Sequence, residues 1–270
     1  MVLLSISITI TLLIVIGLPI AASFWLNKKL GVSWRMITYG VLGYFIVQVL
    51  VSILYSILGN LIQGWATGEA GQSYLLSQIM VNIFLGALLG VIVRWLGMRY
   101  LKLESLESAY AIGIGYVGAE SLMLVGLPLL TTFISMLRNA NIDPQTTSLD
   151  PVMVEQIREL WQLEFYVPLA TAVERITAFV MQVTVTLLIF QVIAKNRLIW
   201  LGAAFFLEFL INGLIVGLAE AGLHYGWVVL IGVLLMAGNL YILYRLNAFD
   251  FDITHFLEKS GDETTLPEEN

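Results

Sequence analysis

Four ionisable side chains stand inside stretches that are otherwise apolar: Glu120, Glu174, Arg175 and Glu208. A charge at the centre of a membrane helix costs about 2.5–3.5 kcal/mol on the mildest scale, so such residues are kept where they pair, line a wet cavity or do chemistry. Their spacing groups them. Glu174, Ala178 and Gln182 step by four, which on a helix makes one stripe about 12 Å long. Glu208 and Asn212 lie one turn apart on one face. Glu120 ends the run Gly113-Ile114-Gly115-Tyr116-Val117-Gly118-Ala119-Glu120, whose small residues let a neighbouring helix approach and carry the acid to a bundle interior. Counting inward from the flanking charges puts Glu120 and Glu208 near mid-membrane and Glu174 nearer the outer half. These groups are expected to converge on one polar chamber. A structural ion pair, Arg175 with Glu120 or Glu208, accounts for the same residues, as does an ion pathway. Glu174 and Arg175 are sequence neighbours whose side chains diverge by about 100° on a helix, so each is expected to pair with another helix. The amides Gln48, Asn82, Gln182, Asn212 and Asn239 suit interhelical hydrogen bonds, and Glu164 and Glu220 fall at span ends.

The elements that must position these residues follow from composition. Of 270 residues, 59% are hydrophobic and 12% charged, with mean hydropathy +0.89; soluble domains carry about 25% charged residues. A helix crossing the hydrocarbon core needs roughly 20 apolar residues. Apolar runs near 4–26, 37–60, 75–97, 108–136, 163–194, 198–219 and 227–246 meet that length. The fold class is therefore all-α, a polytopic transmembrane bundle of about seven spans. The first run lacks a basic n-region and is long for a signal-peptide core, so it reads as a retained span with its N-terminus outside and the C-terminus inside. Charge supports that orientation. Lys28, Lys29, Arg35, Arg94, Arg99, Lys102, Lys195, Arg197, Arg245 and Lys259 fall on inner connections, against Arg138 and Arg158 outside, as the positive-inside rule requires. In the longest outer connection Asp150-Pro151 gives an N-cap and a first-position proline. Val154, Ile157, Leu160 and Trp161 then recur at helical spacing, which predicts an interfacial amphipathic helix near 151–162. No self-similarity between the halves is evident. The transmembrane domain covers 1–249. Residues 250–270 form an acidic cytoplasmic tail with seven acids and one base, enough to account for the whole net charge of −6. There is no cysteine, which excludes thiolate chemistry. A basic, aromatic-interleaved stripe for nucleic acid is also missing.

The three polar segments have an order that resembles a known family. Gly115-Tyr116-Val117-Gly118-Ala119-Glu120, then Glu174-Arg175-Ile176-Thr177-Ala178 on to Gln182, then Glu208 and Asn212 resemble the YhfC family of intramembrane peptidases, related to the CAAX-protease-like group. Gly17-Leu18-Pro19 in span one and Gly40, Phe45 and Gln48 in span two extend the likeness. The resemblance implies a hydrolase of the cytoplasmic membrane of a prokaryote, acting on membrane-embedded or lipid-proximal peptides. It implies a water-activating role for Glu120, with Glu208, Gln182 and Asn212 as the other catalytic positions and Glu174, Arg175 and Tyr116 supporting them. The family's three motif histidines fall at Tyr116, Gln182 and Glu208, so all three are changed here. The two histidines of the chain, His224 in an outer loop and His255 in the tail, do not replace them.

Peptide hydrolysis by activated water needs a base and an oxyanion donor. Gln182 donates and accepts hydrogen bonds but carries no proton through a reaction. Tyr116 suits an oxyanion, and Glu208 could form a carboxylate dyad with Glu120. A histidine zinc site has no histidine positioned for it; a hard cation on Glu120, Glu174 and Glu208 stays open but lacks supporting spacing, so no cofactor is assigned. Three functions stay open: a glutamic-type peptidase of weak or absent hydrolysis, a non-catalytic scaffold for membrane peptides, and a proton- or cation-coupled carrier.

Overall fold

The computed structural model describes residues 2–65, 72–138 and 150–248. Their helices run in the order α1 (Val2–Leu12), a π-helical turn (Leu13–Gly17), α2 (Leu18–Leu30), α3 (Trp34–Trp65), α4 (Gln72–Tyr100), α5 (Leu106–Ser121), a second π-helical turn (Leu122–Gly126), α6 (Leu127–Arg138), α7 (Pro151–Gln162), α8 (Tyr166–Lys195), α9 (Ile199–Glu220) and α10 (Tyr225–Arg245). No strand occurs among the described residues. Seven helical segments are long and apolar enough to cross a membrane: Val2–Leu30, Trp34–Leu58, Ser77–Tyr100, Leu106–Arg138, Tyr166–Lys195, Ile199–Glu220 and Tyr225–Arg245. The chain is an all-α integral membrane protein. The acidic tail expected at 250–270 lies outside the described residues, as does most of the connection before Asp150.

Two helices form the centre. Span five is the most enclosed, with 72% of its apolar window buried, and α5 is buried along almost its whole length, from Ala109 to Val117. Glycines explain how α5 is reached from several sides. A Cβ on Gly115 would overlap the carbonyl oxygen of Ile37, and one on Gly40 would overlap the carbonyl of Ile112. Each glycine thus receives the backbone of the other helix, and α3 and α5 lie in direct main-chain contact. Gly113 faces Thr186 of α8, and Gly118 faces Pro19 of α2. The predicted interior position of span four follows from these three contacts.

Caps are legible in the sequence. Ser105 accepts a hydrogen bond from Ser108 N–H at the start of α5 (3.2 Å). Asp150 Oδ1 accepts from Val152 N–H (2.8 Å), so α7 begins at Pro151 as expected. On α7, Trp161 packs against the cluster of Leu4, Ile8 and Met136, which seats this helix over the ends of spans one and four.

One short motif recurs in spans one and four. Leu13-Ile14-Val15-Ile16-Gly17-Leu18-Pro19 and Leu122-Met123-Leu124-Val125-Gly126-Leu127-Pro128 share Leu, Gly, Leu and Pro at matching places, and each contains a π-helical turn ending at its glycine. The cause is local. Proline two residues beyond the turn has no N–H and crowds the carbonyl four residues back; a widened turn absorbs both defects. The two widened turns meet: α1 contacts α6 and α2 contacts α5, so the segments cross antiparallel. Gly126 faces Ile16 at the crossing.

The glycine contacts give a direct test. Gly115→Val and Gly40→Val must push α3 from α5, and each should cost about 1–3 kcal/mol or more in detergent unfolding. Gly86→Ala and Gly97→Ala, where nothing lies within 4 Å of the added carbon, should stay within about 0.5 kcal/mol of wild type.

Candidate functional site

The polar residues form two stations along α8 and α9, where one chamber was expected. The first is closed around a residue that the charge-sorting argument placed on a connection. Arg94 lies within α4, more than one turn before its end at Tyr100, and is 2% exposed. Its guanidinium Nη2 donates to Glu208 Oε2 at 2.6 Å, and Nη1 donates to Gln182 Oε1 at 2.9 Å and to Thr186 Oγ1 at 3.1 Å. Nε donates to the carbonyl of Gly90 at 2.8 Å. Gln182 Nε2 donates to the other Glu208 oxygen at 3.1 Å. Above the guanidinium lies the ring of Tyr116, 4.4 Å from ring centre to Cζ, a cation–π contact in a desolvated site. Position 90 is tight here: a Cβ would stand 3.2 Å from the Tyr116 hydroxyl and 3.3 Å from Arg94 Nη2, so those side chains would have to give way. Gln182 and Glu208, each 3% exposed, thus meet as their spacing predicted. The basic partner comes from α4, not from α8.

The second station holds the expected site residues that remain. Arg175 Nη2 donates to Glu174 Oε1 at 2.6 Å, so the two sequence neighbours do pair. The 100° divergence at the backbone is overcome by the length of both side chains, which curve back over the helix. Arg175 Nη1 stands 3.9 Å from Glu120 Oε1, an ion pair without a hydrogen bond. Glu120 Oε2 and Arg175 Nε and Nη1 are buried and have no hydrogen-bond partner. Asn212 lies away from Glu208's contacts, in a cavity of about 120 Å³ lined with Glu174, Arg175, Thr177 and Tyr225. The pair Glu208 and Asn212 is therefore divided between stations. Gln182 lies about two turns along α8 from Glu174, and its side-chain hydrogen bonds go to Arg94 and Glu208, while Glu120 Oε2 stays unsatisfied. Tyr44 stacks edge-on to Tyr116 at 5.6 Å and interacts electrostatically with both Glu120 and Arg175.

Other expectations change as well. Gln48 and Asn82 are exposed on the outer surface of the bundle, so neither is interhelical glue. Asn239 is buried, but its amide N–H returns to the carbonyl of Leu235 on its own helix, and its Oδ1 has no partner. His224 caps α10 by accepting from Gly226 N–H (3.2 Å), away from both stations. An apolar groove of about 400 Å³ is lined by Ala119, the chain neighbour of Glu120, but not by Glu120 itself. Its walls include Val15, Pro19, Ile37, Gly118, Ala119 and Met123, from both π-bulged segments and α3.

The comparison with known proteins bears on this arrangement. The chain matches the YhfC intramembrane metalloprotease family over residues 12–250. It belongs to that family. No curated protein and no solved structure matches it. The family's name implies a metal, and the donors present in this YhfC member do not fit one. Among the described residues no group of three His, Cys, Asp or Glu side chains is placed to hold an ion. Both Glu208 oxygens are engaged by Arg94 and Gln182, and the nearest cation to Glu120 is the Arg175 guanidinium. Glu120, Glu174 and Glu208, whose spacing gave no support for a hard-cation site, do not form such a group.

Arg94 escaped the sequence reading because it sits near the end of its apolar run, where a base passes for a membrane-edge anchor. The apolar Trp95-Leu96-Gly97-Met98 that follows it is the signal that it lies inside. Its removal from the inner count leaves nine bases against two, so the charge asymmetry survives.

A mutant cycle measures the closed station. Arg94→Met leaves Glu208 buried and unpaired and should destabilise by about 3–5 kcal/mol, whereas Arg94→Met with Glu208→Met should recover most of that loss. Unfolding in detergent reads both, and additive losses would show that the two residues do not interact.

Proposed function

We propose that this chain is an intramembrane peptide-binding protein that holds a backbone amide of a membrane-embedded or lipid-proximal segment between Glu120 and Arg175, without efficient hydrolysis. One observation carries this: Glu120 Oε2, Arg175 Nε and Arg175 Nη1 are buried without partners. Each unmade hydrogen bond at a buried group costs about 1–3 kcal/mol, and more for a charged one. A peptide group offers one N–H and one C=O. The N–H would donate to the Glu120 carboxylate and the C=O would accept from Arg175, so one amide supplies both kinds of missing partner. The apolar groove beside Ala119 suits the side chains of the same segment.

Binding is favoured over cutting by the state of the other candidates. Hydrolysis needs a group to deliver a proton to the leaving amine. Glu208 is held by Arg94 and Gln182 on both oxygens, and Gln182 does not titrate. Glu120 would have to take the proton from water and return it to the leaving amine unaided.

The protein in detergent, incubated with quenched transmembrane peptides, should cleave none faster than its Glu120→Gln variant; cleavage lost in that variant would establish a peptidase and overturn the proposal. Photo-crosslinking to an apolar peptide helix should persist in Glu120→Gln, whose amide oxygen still accepts. It should weaken about tenfold or more, the equivalent of 1.4 kcal/mol, in Arg175→Leu and Glu120→Leu.

A second proposal, a proton- or cation-coupled carrier, is favoured by one observation: the antiparallel pair of bulged Gly-Leu-Pro segments. Interrupted helices at corresponding places mark binding sites in carriers built from inverted repeats. Proteoliposome flux that is indifferent to Glu120→Gln and Glu174→Gln would remove it.

A further inference from the structure

We infer that Arg94 is the resident cation of the protein core, standing where a metal ion would be held, so that the closed station takes up no divalent ion. The inference does not depend on peptide binding at Glu120 and stands or falls separately.

Oxygen acceptors gather around one guanidinium from three helices. The Gly90 carbonyl comes from α4, Gln182 Oε1 and Thr186 Oγ1 from α8, and Glu208 Oε2 from α9, all within 2.6–3.1 Å of a guanidinium nitrogen. From α5 the Tyr116 ring closes the remaining face at 4.4 Å. An amide oxygen, a hydroxyl, a backbone carbonyl and one carboxylate are ligands of a hard cation. Here they are met by a delocalised charge with several N–H donors in a fixed plane.

The arrangement is built for a guanidinium in particular. Its planar fork reaches acceptors on two other helices at once, which an ammonium of the same charge does not match. Thr186 contributes through a hydroxyl whose own proton goes to the Gln182 carbonyl at 2.8 Å, which leaves its lone pairs facing Arg94. Gln182 is oriented by two contacts of opposite sense: its oxygen accepts from Arg94 and its nitrogen donates to Glu208. Reversing the amide would break both. Gly90 leaves the space above α4 in which the guanidinium turns back onto its own helix. A metal ion has no room here while Arg94 is present.

Two measurements test this. Purified wild-type protein, analysed by inductively coupled plasma mass spectrometry after brief exposure to zinc or manganese, should carry far less than one equivalent. Its thermal midpoint should be the same with and without EDTA. Stoichiometric metal that is lost in Glu208→Gln would overturn the inference. Arg94→Ala opens the oxygen-lined space, and its lowered midpoint should rise in millimolar ethylguanidinium chloride but not in equal tetramethylammonium chloride, while wild type responds to neither. Equal responses to both salts would also count against it. If Arg94→Ala fails to accumulate, Arg94→Lys decides the point: a lower midpoint than wild type is expected, and an unchanged one would show that any cation suffices.

Discussion

The pairing of Arg94 with Glu208 in a medium that tolerates neither alone is the constraint on which the arrangement of the other helices depends. A charge in hydrocarbon has no water to fall back on, so each of these residues must find its partner or be expelled. Their meeting brings α4 against α9. It also fixes what may stand nearby: little room for a side chain at position 90, an aromatic face at Tyr116, and the amide and hydroxyl of Gln182 and Thr186. A coordination shell of this kind is cooperative. Each member is oriented by at least two others, and loss of one leaves a buried group that nothing else can satisfy.

The open station obeys a different balance. Arg175 is shared between two carboxylates, with a 2.6 Å bond to Glu174 and a 3.9 Å separation from Glu120. Glu174 lies on the accessible side of that pair, with its side chain 40% exposed, whereas Glu120 is 15% exposed. The guanidinium thus compensates best the acid that needs it least. Glu120 retains unspent hydrogen-bonding capacity in a region of low dielectric, where such capacity has its greatest effect. This contrast between a sealed station and an uncompleted one is the physical basis for proposing a structural role for the first and binding at the second.

Much of this architecture was legible in the sequence because lipid imposes simple rules. Length and hydropathy located all seven spans, and the small residues of the Gly113 to Glu120 run foretold the close approach that Gly113, Gly115 and Gly118 make to three different helices. Gln182 and Glu208 were expected to converge with the other polar residues of the spans, and they hydrogen-bond. The failures arose where a rule has two readings. A base six residues from a helix end satisfies the positive-inside rule as an anchor and the buried-charge rule as a partner; only the packing of α4 against α8 and α9 decides for Arg94. Neighbouring residues diverge at the backbone, yet Glu174 and Arg175 have enough methylenes to meet. The matching Gly-Leu-Pro segments are too short and too apolar to stand out among spans of similar composition. They become recognisable once the same π-helical turn is seen in both.

A guanidinium and a metal ion are both cations, but they are not chemically equivalent. A metal with an open coordination position binds water and makes it a nucleophile near neutral pH. A guanidinium has no vacant orbital, and its influence extends only through the hydrogen bonds that it donates. In this protein the Arg94 donors are directed at Gly90, Gln182, Thr186 and Glu208, so the charge is spent on holding helices together. What remains for a ligand is the free edge of Glu120 and the unengaged nitrogens of Arg175. Those groups can orient an amide but have no activated water supplied to them by Arg94. The proposed division follows from this difference: a structural cation at Arg94 holds the bundle together, and the unmet hydrogen-bonding groups of Glu120 and Arg175 are what the proposed binding would use.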